Sequence, residues 1–169
     1  MASEVSRIID IKIVHPDQPR LSSDAEDDRR AAIFDLLDSN YFRLLTSPSA
    51  DPNAPPYLGP YVLHLRDAAR HIHFDVRDEK QNPLAEFHLA MGPLRQIMRE
   101  YRLVCDSYYQ AIRTKTPSQI QAIDMGRRAL HDEATQILQA RLAGRIEMDE
   151  VTARRLFSLI SVLKHTREK

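Results

Sequence analysis

The stretch from Leu94 to Leu142 constrains this chain more than any other, because it reads as two long amphipathic helices joined at a tight Lys115-Thr116-Pro117 corner. Leu94, Ile97, Met98, Tyr101, Val104, Cys105, Tyr108 and Ile112 recur at three- and four-residue spacings, which makes one broad apolar stripe. At the corner Thr116 can cap the second helix, Pro117 suits its first position, and Gln119 can complete a capping box. That helix runs to Leu142 or Ala143, where Gly144 stops it. Ile120, Ile123, Leu130, Ala134, Ile137, Leu138 and Leu142 form its buried stripe.

The flanking sequence supplies a sheet before this pair and one helix after it. Ile9, Ile11 and Ile13 alternate with Asp10 and Lys12, a strand with one buried face. Pro16 and Pro19 end that strand. Ser23-Asp24-Ala25-Glu26 has capping-box spacing and opens a helix to about Asp38. Ser39 to Pro60 reads as a long irregular stretch. Tyr61–Arg66, His71–Arg77 and Leu84–Met91 then alternate as three strands of an antiparallel meander. Asp149 can cap a last helix, Glu150 to Lys164. The expected fold is α+β: a small antiparallel sheet of about four strands, with Ile8–Val14 at an edge, packed against about four helices. It forms a single domain over 1–169 with a flexible loop at 46–58.

Composition excludes some function classes. Twenty-four basic residues balance 24 acidic ones, which argues against a nonspecific electrostatic nucleic-acid binder. The single cysteine, Cys105, permits no intrachain disulfide. No apolar run approaches the roughly 20 residues that span a bilayer, and no signal peptide is apparent, so a cytoplasmic protein is expected. No nucleophile–base pair, glycine-rich phosphate loop or cofactor motif appears, so no cofactor is expected.

Four features break the scaffold's pattern. With Arg66 opposite His71 and Arg77 opposite Leu84, the histidines His64, His73 and His88 fall in one row on the wet face of the sheet, a weak candidate metal set. Arg95, Arg99, Arg102 and Arg113 share a helix face with Tyr109, a pattern that can track phosphates and stack a base. Arg127 lies inside an apolar arc with Asp124 and His131 at its edge, and Gly126 interrupts the helix beside it. Asp124 is the local partner for Arg127. Asp124, Arg127, Arg128 and His131 could otherwise floor an anion site, with Tyr109 and Arg113 as further ligand-binding candidates. Finally, Leu156, Phe157, Leu159, Ile160, Val162 and Leu163 cover more than half the last helix. Such a helix needs cover on two sides, and self-association through 150–164 would provide it.

Taken together, Phe34-Asp35-Leu36-Leu37, Gly59-Pro60-Tyr61, Phe74-Asp75-Val76-Arg77-Asp78-Glu79, Ser107-Tyr108-Tyr109-Gln110-Ala111-Ile112-Arg113, Ile123-Asp124-Met125-Gly126-Arg127-Arg128 and Thr152-Ala153-Arg154-Arg155-Leu156-Phe157 resemble uncharacterised protein family 0262, known from alphaproteobacteria. The resemblance covers almost the whole chain and implies no activity, cofactor or catalytic residue. His64, His71 and His88 lie outside its segments. The expected function is therefore a cytoplasmic homo-oligomeric interaction or structural protein with a protein or RNA partner and no membrane. Two alternatives stand beside it. One is an enzyme acting on a small anion at Asp124, Arg127 and His131; the other is an RNA-binding protein using the Arg95–Arg113 face.

Overall fold

The computed structural model describes residues 5–14, 23–45, 53 and 55–167. The Pro16–Pro19 connector, the Ser23 side chain of the first capping box and most of the 46–58 loop lie outside the described residues. The elements follow in the order β1 (Ile8–Val14), α1 (Ser23–Asp38), β2 (Phe42–Leu44), β3 (Tyr61–Ala68), β4 (His71–Arg77), β5 (Pro83–Ala90), α2 (Gly92–Thr114), α3 (Pro117–Leu142), β6 (Ile146–Met148) and α4 (Glu150–Arg167). This is the expected α+β architecture, with four helices and a four-stranded sheet in the order β1-β3-β4-β5 among the described residues.

The sheet departs from expectation at β1, which runs parallel to β3. Two residues of β1 oppose one of β3 between Ile8 and Asp10, which is a bulge. The extra residue displaces only Ile9, which is exposed while Ile8 is buried; Ile11 is buried and Ile13 half-buried, as expected. Asn40, just past α1, fixes this strand by accepting the Ile8 N–H at 2.7 Å and donating to Ile8 O at 3.0 Å. β3, β4 and β5 form the expected meander. Their inward residues Tyr61, Leu63, Leu65, Ile72, Phe74, Val76, Phe87 and Leu89 are all buried.

A second, two-stranded sheet joins β2, which falls within the stretch expected to be irregular, to β6. Arg43 and Glu147 pair across it at 2.5 Å, and Tyr41 donates its hydroxyl to the same carboxylate at 3.0 Å. Tyr61 ties this sheet to the larger one. Its buried hydroxyl donates to Tyr57 O at 2.8 Å and accepts the Leu44 N–H at 3.2 Å.

The last helix is the centre of the fold. Ala153 is buried, and Leu156, Phe157, Leu159, Ile160 and Leu163 are buried in one cluster with residues of the sheet, α1 and α3. The cover that this helix needs on two sides is thus supplied within one chain, which removes the premise for self-association through 150–164. Its N-terminus is held as expected, Asp149 Oδ1 accepting the Thr152 N–H at 2.8 Å. Its arginines find partners at other helices: Arg154 meets Asp132, and Arg155 donates to Asp35 O and Ser39 O. A guanidinium on those carbonyls satisfies orphan acceptors at the end of α1.

Lys164 closes α4 against the sheet. Its ammonium meets Asp67 Oδ1 at 2.5 Å and donates to Ala68 O at 2.7 Å and His71 O at 3.3 Å. These partners keep a lysine tolerable at 8% exposure.

The α2–α3 pair has the expected caps. Thr116 Oγ1 accepts the Gln119 N–H at 3.3 Å, and Gln119 Oε1 accepts the Thr116 N–H at 3.1 Å. With 23 and 26 residues, these helices are about 34 and 39 Å long. Their burial is uneven. In α2 no residue after Met98 is buried except Ala111, and in α3 none before Ala134. The corner half of this hairpin is therefore a two-helix arm, whose described residues bury only a small alanine.

Candidate functional site

At the root of the arm the structure gathers Tyr101, Cys105 and Tyr108 of α2 against Asp124, Arg127 and His131 of α3. Helical phase brings these residues onto the seam, because α2 and α3 run antiparallel from the Thr116 corner and each presents its apolar arc to the other. Arg127 is partly buried and makes the expected local pair. Its Nη2 and Nε donate to Asp124 Oδ1 at 2.5 and 3.1 Å, while Arg128 reaches Asp124 Oδ2 at 3.0 Å. The Arg127 guanidinium carbon also lies 4.8 Å from the centre of the Tyr108 ring, within cation–π range. The hydrogen bond from Arg127, with both arginine charges, holds the Asp124 carboxyl below the usual carboxylate range.

His131 turns away from Arg127 toward α4. Its Nε2 is 2.9 Å from Ser158 Oγ, and its ring stands edge-on to Phe157 and Tyr101, 5.1 and 5.4 Å between centres. Ser158 gives its own proton to Arg154 O at 3.2 Å, which leaves its lone pair for the Nε2–H of a neutral ring. Burial, with the nearby Arg154 charge, pushes the His131 pKa down to about 4. Burial likewise pushes the Tyr101 hydroxyl up to about 12, although Arg127 acts in the opposite direction, and raises the Cys105 thiol.

These directions decide what the cluster can do. At neutral pH His131 and Tyr101 stay neutral, Cys105 stays a thiol and Asp124 stays ionised against two arginines. A general acid or base works best with a pKa near the operating pH, and a nucleophilic cysteine needs a depressed one. Asp124, Arg127 and His131 are close along one helix, but Arg127 is committed to Asp124 and His131 to Ser158.

His131 has a measurable consequence. A folded-state pKa below the unfolded value of about 6.5 means that the unfolded chain binds the extra proton between those limits, so stability rises with pH there. Lowering the pH from 7 to 4 is expected to remove about 2–3 kcal/mol through this group. Urea titrations of wild type and His131→Asn along that pH range check it, with the variant losing most of the slope.

The other expected sites fare differently. Asp75 pairs with Glu86 and His73 with His88, as expected, but β3 pairs with β4 as Arg66 opposite His73 and His64 opposite Asp75. The turn is two residues tighter than assumed, so His64 leaves the row and bonds Gln81 at 3.1 Å instead. His71 stacks on His88 with ring centres 4.3 Å apart. Among the described residues no group of three side chains that could hold a metal is found. Gly126 makes no close approach to any described element, because a Cβ placed there would meet nothing within 4 Å.

On the outer faces of the arm, Leu103, Tyr109, Ile112 and Met125 are more than half exposed, with Tyr109 at 67%. Tyr108 and Tyr109 divide, the first half-buried on the seam and the second in solvent. Sequence reasoning missed the cleft at the other end of α2, where Arg95, Arg99 and Arg102 gather beside Lys164. The signal was available: a lone lysine following Leu159-Ile160-Ser161-Val162-Leu163 had to find a polar partner.

Comparison with known proteins places these features in a family. The model of an uncharacterised protein family (UPF0262) matches residues 5–166. A UPF0262 protein of Ruegeria pomeroyi is 43% identical over 159 residues, covering 94% of this chain and 96% of the relative. One of Paramagnetospirillum magneticum is 41% identical over 157 residues, covering 93% and 94%. One of Rhodopseudomonas palustris is 46% identical over 144 residues, covering 85% and 83%. No solved structure matches. No described helix is long and apolar enough to cross a membrane.

Proposed function

We propose for this chain, which belongs to the uncharacterised protein family UPF0262, a non-catalytic role in the cytoplasm: it is an interaction protein that pairs with a second copy of itself through the corner half of the α2–α3 arm. The observation that carries this reading is the arm itself. Two helices leave the core with only Ala111 buried between Met98 and Ala134 along the chain, and with Leu103, Tyr109, Ile112 and Met125 exposed. Two segments of the family resemblance, Ser107–Arg113 and Ile123–Arg128, lie on this half.

The charges favour a second copy as the occupant. Asp106, Tyr109 and Arg113 share one face of α2, and neither charge makes an ion pair among the described residues. In a two-fold interface, residue i of one copy meets residue j of the other and the reverse. An antiparallel pairing of two α2 helices about Tyr109 and Gln110 sets Asp106 of each copy against Arg113 of the other and brings the two Tyr109 rings together. A near-zero net charge leaves little repulsion to oppose it.

The lowered pKa of His131 and the raised ones of Tyr101 and Cys105 weigh against the alternative of an enzyme at the root of the arm. Light scattering tests the proposal. The wild type is expected to be a dimer at micromolar concentration, and Tyr109→Glu to weaken it by at least tenfold with the monomer's melting temperature unchanged. A monomeric wild type removes the reading.

A further inference from the structure

The wet face of the larger sheet carries a cluster that the arm does not use. Across three strands, Arg66 of β3 stands opposite His73 of β4, and His73 stands opposite His88 of β5. His71, two residues before His73 on the same face of β4, stacks its ring on His88, with centres 4.3 Å and planes 26° apart. His73 meets the same ring edge-on at 4.8 Å. Among the described residues none of these three rings has a hydrogen-bond partner, whereas His64 bonds Gln81 and His131 bonds Ser158. Their contacts are with one another.

The strand they fasten is an edge. β5 ends the sheet order and pairs with β4 alone among the described residues. Phe87 and Leu89 are buried on its inner face, while Glu86, His88 and Ala90 are exposed on the other. Neutral imidazoles are aromatic rings, for which stacked and edge-on contacts are favourable. Imidazole is also the side chain whose ordinary pKa, about 6.5, places its change of charge between pH 5 and 8. Protonated rings at these distances repel.

The described charges around the cluster add to that repulsion. Arg66 shares the row, Arg70 lies in the adjoining turn, and Lys164 of α4 donates to His71 O at 3.3 Å. Two acids close by are engaged: Asp67 meets Lys164 at 2.5 Å, and Asp75 meets Arg77 at 2.9 Å. The next row runs Lys12, His64, Asp75 and Glu86 from β1 to β5, and Glu86 too is drawn to Arg77. Burial, then the charges of His88, Lys164, Arg66 and His73, hold the His71 pKa below the ordinary imidazole value. A group lowered in this way binds its proton more readily once the strand has opened, so closure weakens as pH falls below about 6.5.

We propose that His71, His73 and His88 form an acid-sensitive latch on β5. Neutral, the stacked rings hold the edge strand to β4; protonated, they drive His88 away and free Pro83–Ala90. The opening is local, because β3 and β4 keep their own pairing.

Amide hydrogen exchange on the full chain between pH 7 and 5, corrected for the intrinsic pH dependence of exchange, tests this. The opening constant of the β5 amides is expected to rise about tenfold over that range, with those of Leu63 and Leu65 in β3 unchanged. His88→Gln, which removes the shared ring, is expected to abolish the rise, and His71→Gln serves as the second variant should the first fold poorly. His131→Asn is expected to keep the rise, which separates the latch from the buried histidine of α3. Two results overturn the proposal: β5 amides that open no more readily at pH 5 than those of β3, or a rise that survives the loss of His88 or His71.

Discussion

Phe157→Ala is expected to lower the free energy of unfolding by about 3–5 kcal/mol, the cost of deleting a large buried ring and leaving a cavity. Phe157 has no exposed surface, and its ring stands edge-on to Tyr101 and His131, with centres 5.6 and 5.1 Å away. It is where α4 meets the root of the arm, so its loss loosens two helices at once. The same substitution separates two views of α4. In a helix covered by a second subunit, the loss would grow or shrink with protein concentration, because association adds to stability by mass action. In the fold described here, the covering residues belong to one chain. Urea denaturation should therefore return the same loss across a wide range of protein concentration.

Gly59→Ala should cost about 3 kcal/mol or more, although it adds one methyl group in a segment without regular structure. Gly59 has φ +125°, a conformation that side-chain-bearing residues rarely adopt, and a Cβ there would lie 1.9 Å from Val5 O. A flexible side chain could move aside; this neighbour is backbone. It is also pinned, because Ser6 Oγ donates to Leu58 O at 2.6 Å, Ser6 O accepts the Phe42 N–H at 2.9 Å and Arg7 O accepts the Tyr61 N–H at 2.8 Å. Relieving the clash would break the entry to β1 or the start of β3. Positive-φ strain and lost hydrogen bonds together account for the size. Thermal melts of Gly59→Ala beside Gly92→Ala, whose added Cβ meets nothing, check that the effect belongs to the site.

The parts of the fold that were legible in the sequence are those set by local rules. Thr116, Pro117 and Gln119 announce a helix start whatever surrounds them. The alternation in β3, β4 and β5 names their buried faces, because a strand's side chains change sides at every residue. The errors arose where a long-range choice was needed. β1 sits 46 residues before β3, long enough for a crossover that permits parallel pairing, and nothing local in Ile8–Val14 records the partner's direction. The bulge after Ile8 adds one residue, so Ile8 takes the buried place expected of Ile9 while Ile11 and Ile13 keep their face. A turn two residues tighter at Ala69 and Arg70 preserved every face in β3 but moved every partner, which dissolved the histidine row.

The candidate site shows the same division. The Asp124–Arg127 pair was readable, because three residues on a helix put the two side chains together. His131's attachment to Ser158 was not, because it joins residues 27 apart across a helix packing. α4 is the clearest case. Its apolar circumference shows that it must be covered on two sides, but the same surface suits a subunit interface or a core. Only the positions of α1, α3 and the sheet decide, and they place it inside. What then remains for contact is the arm, where the apolar arcs of α2 and α3 outrun the core that could cover them.

Sedimentation equilibrium on a charge-swap set tests that surface most directly. The wild type should be a dimer at micromolar concentration. Asp106→Arg and Arg113→Asp should each be largely monomeric, since each places like charges opposite one another, and the double variant should dimerise again. Wild type that sediments as a monomer, or single variants that stay dimeric, would contradict the account.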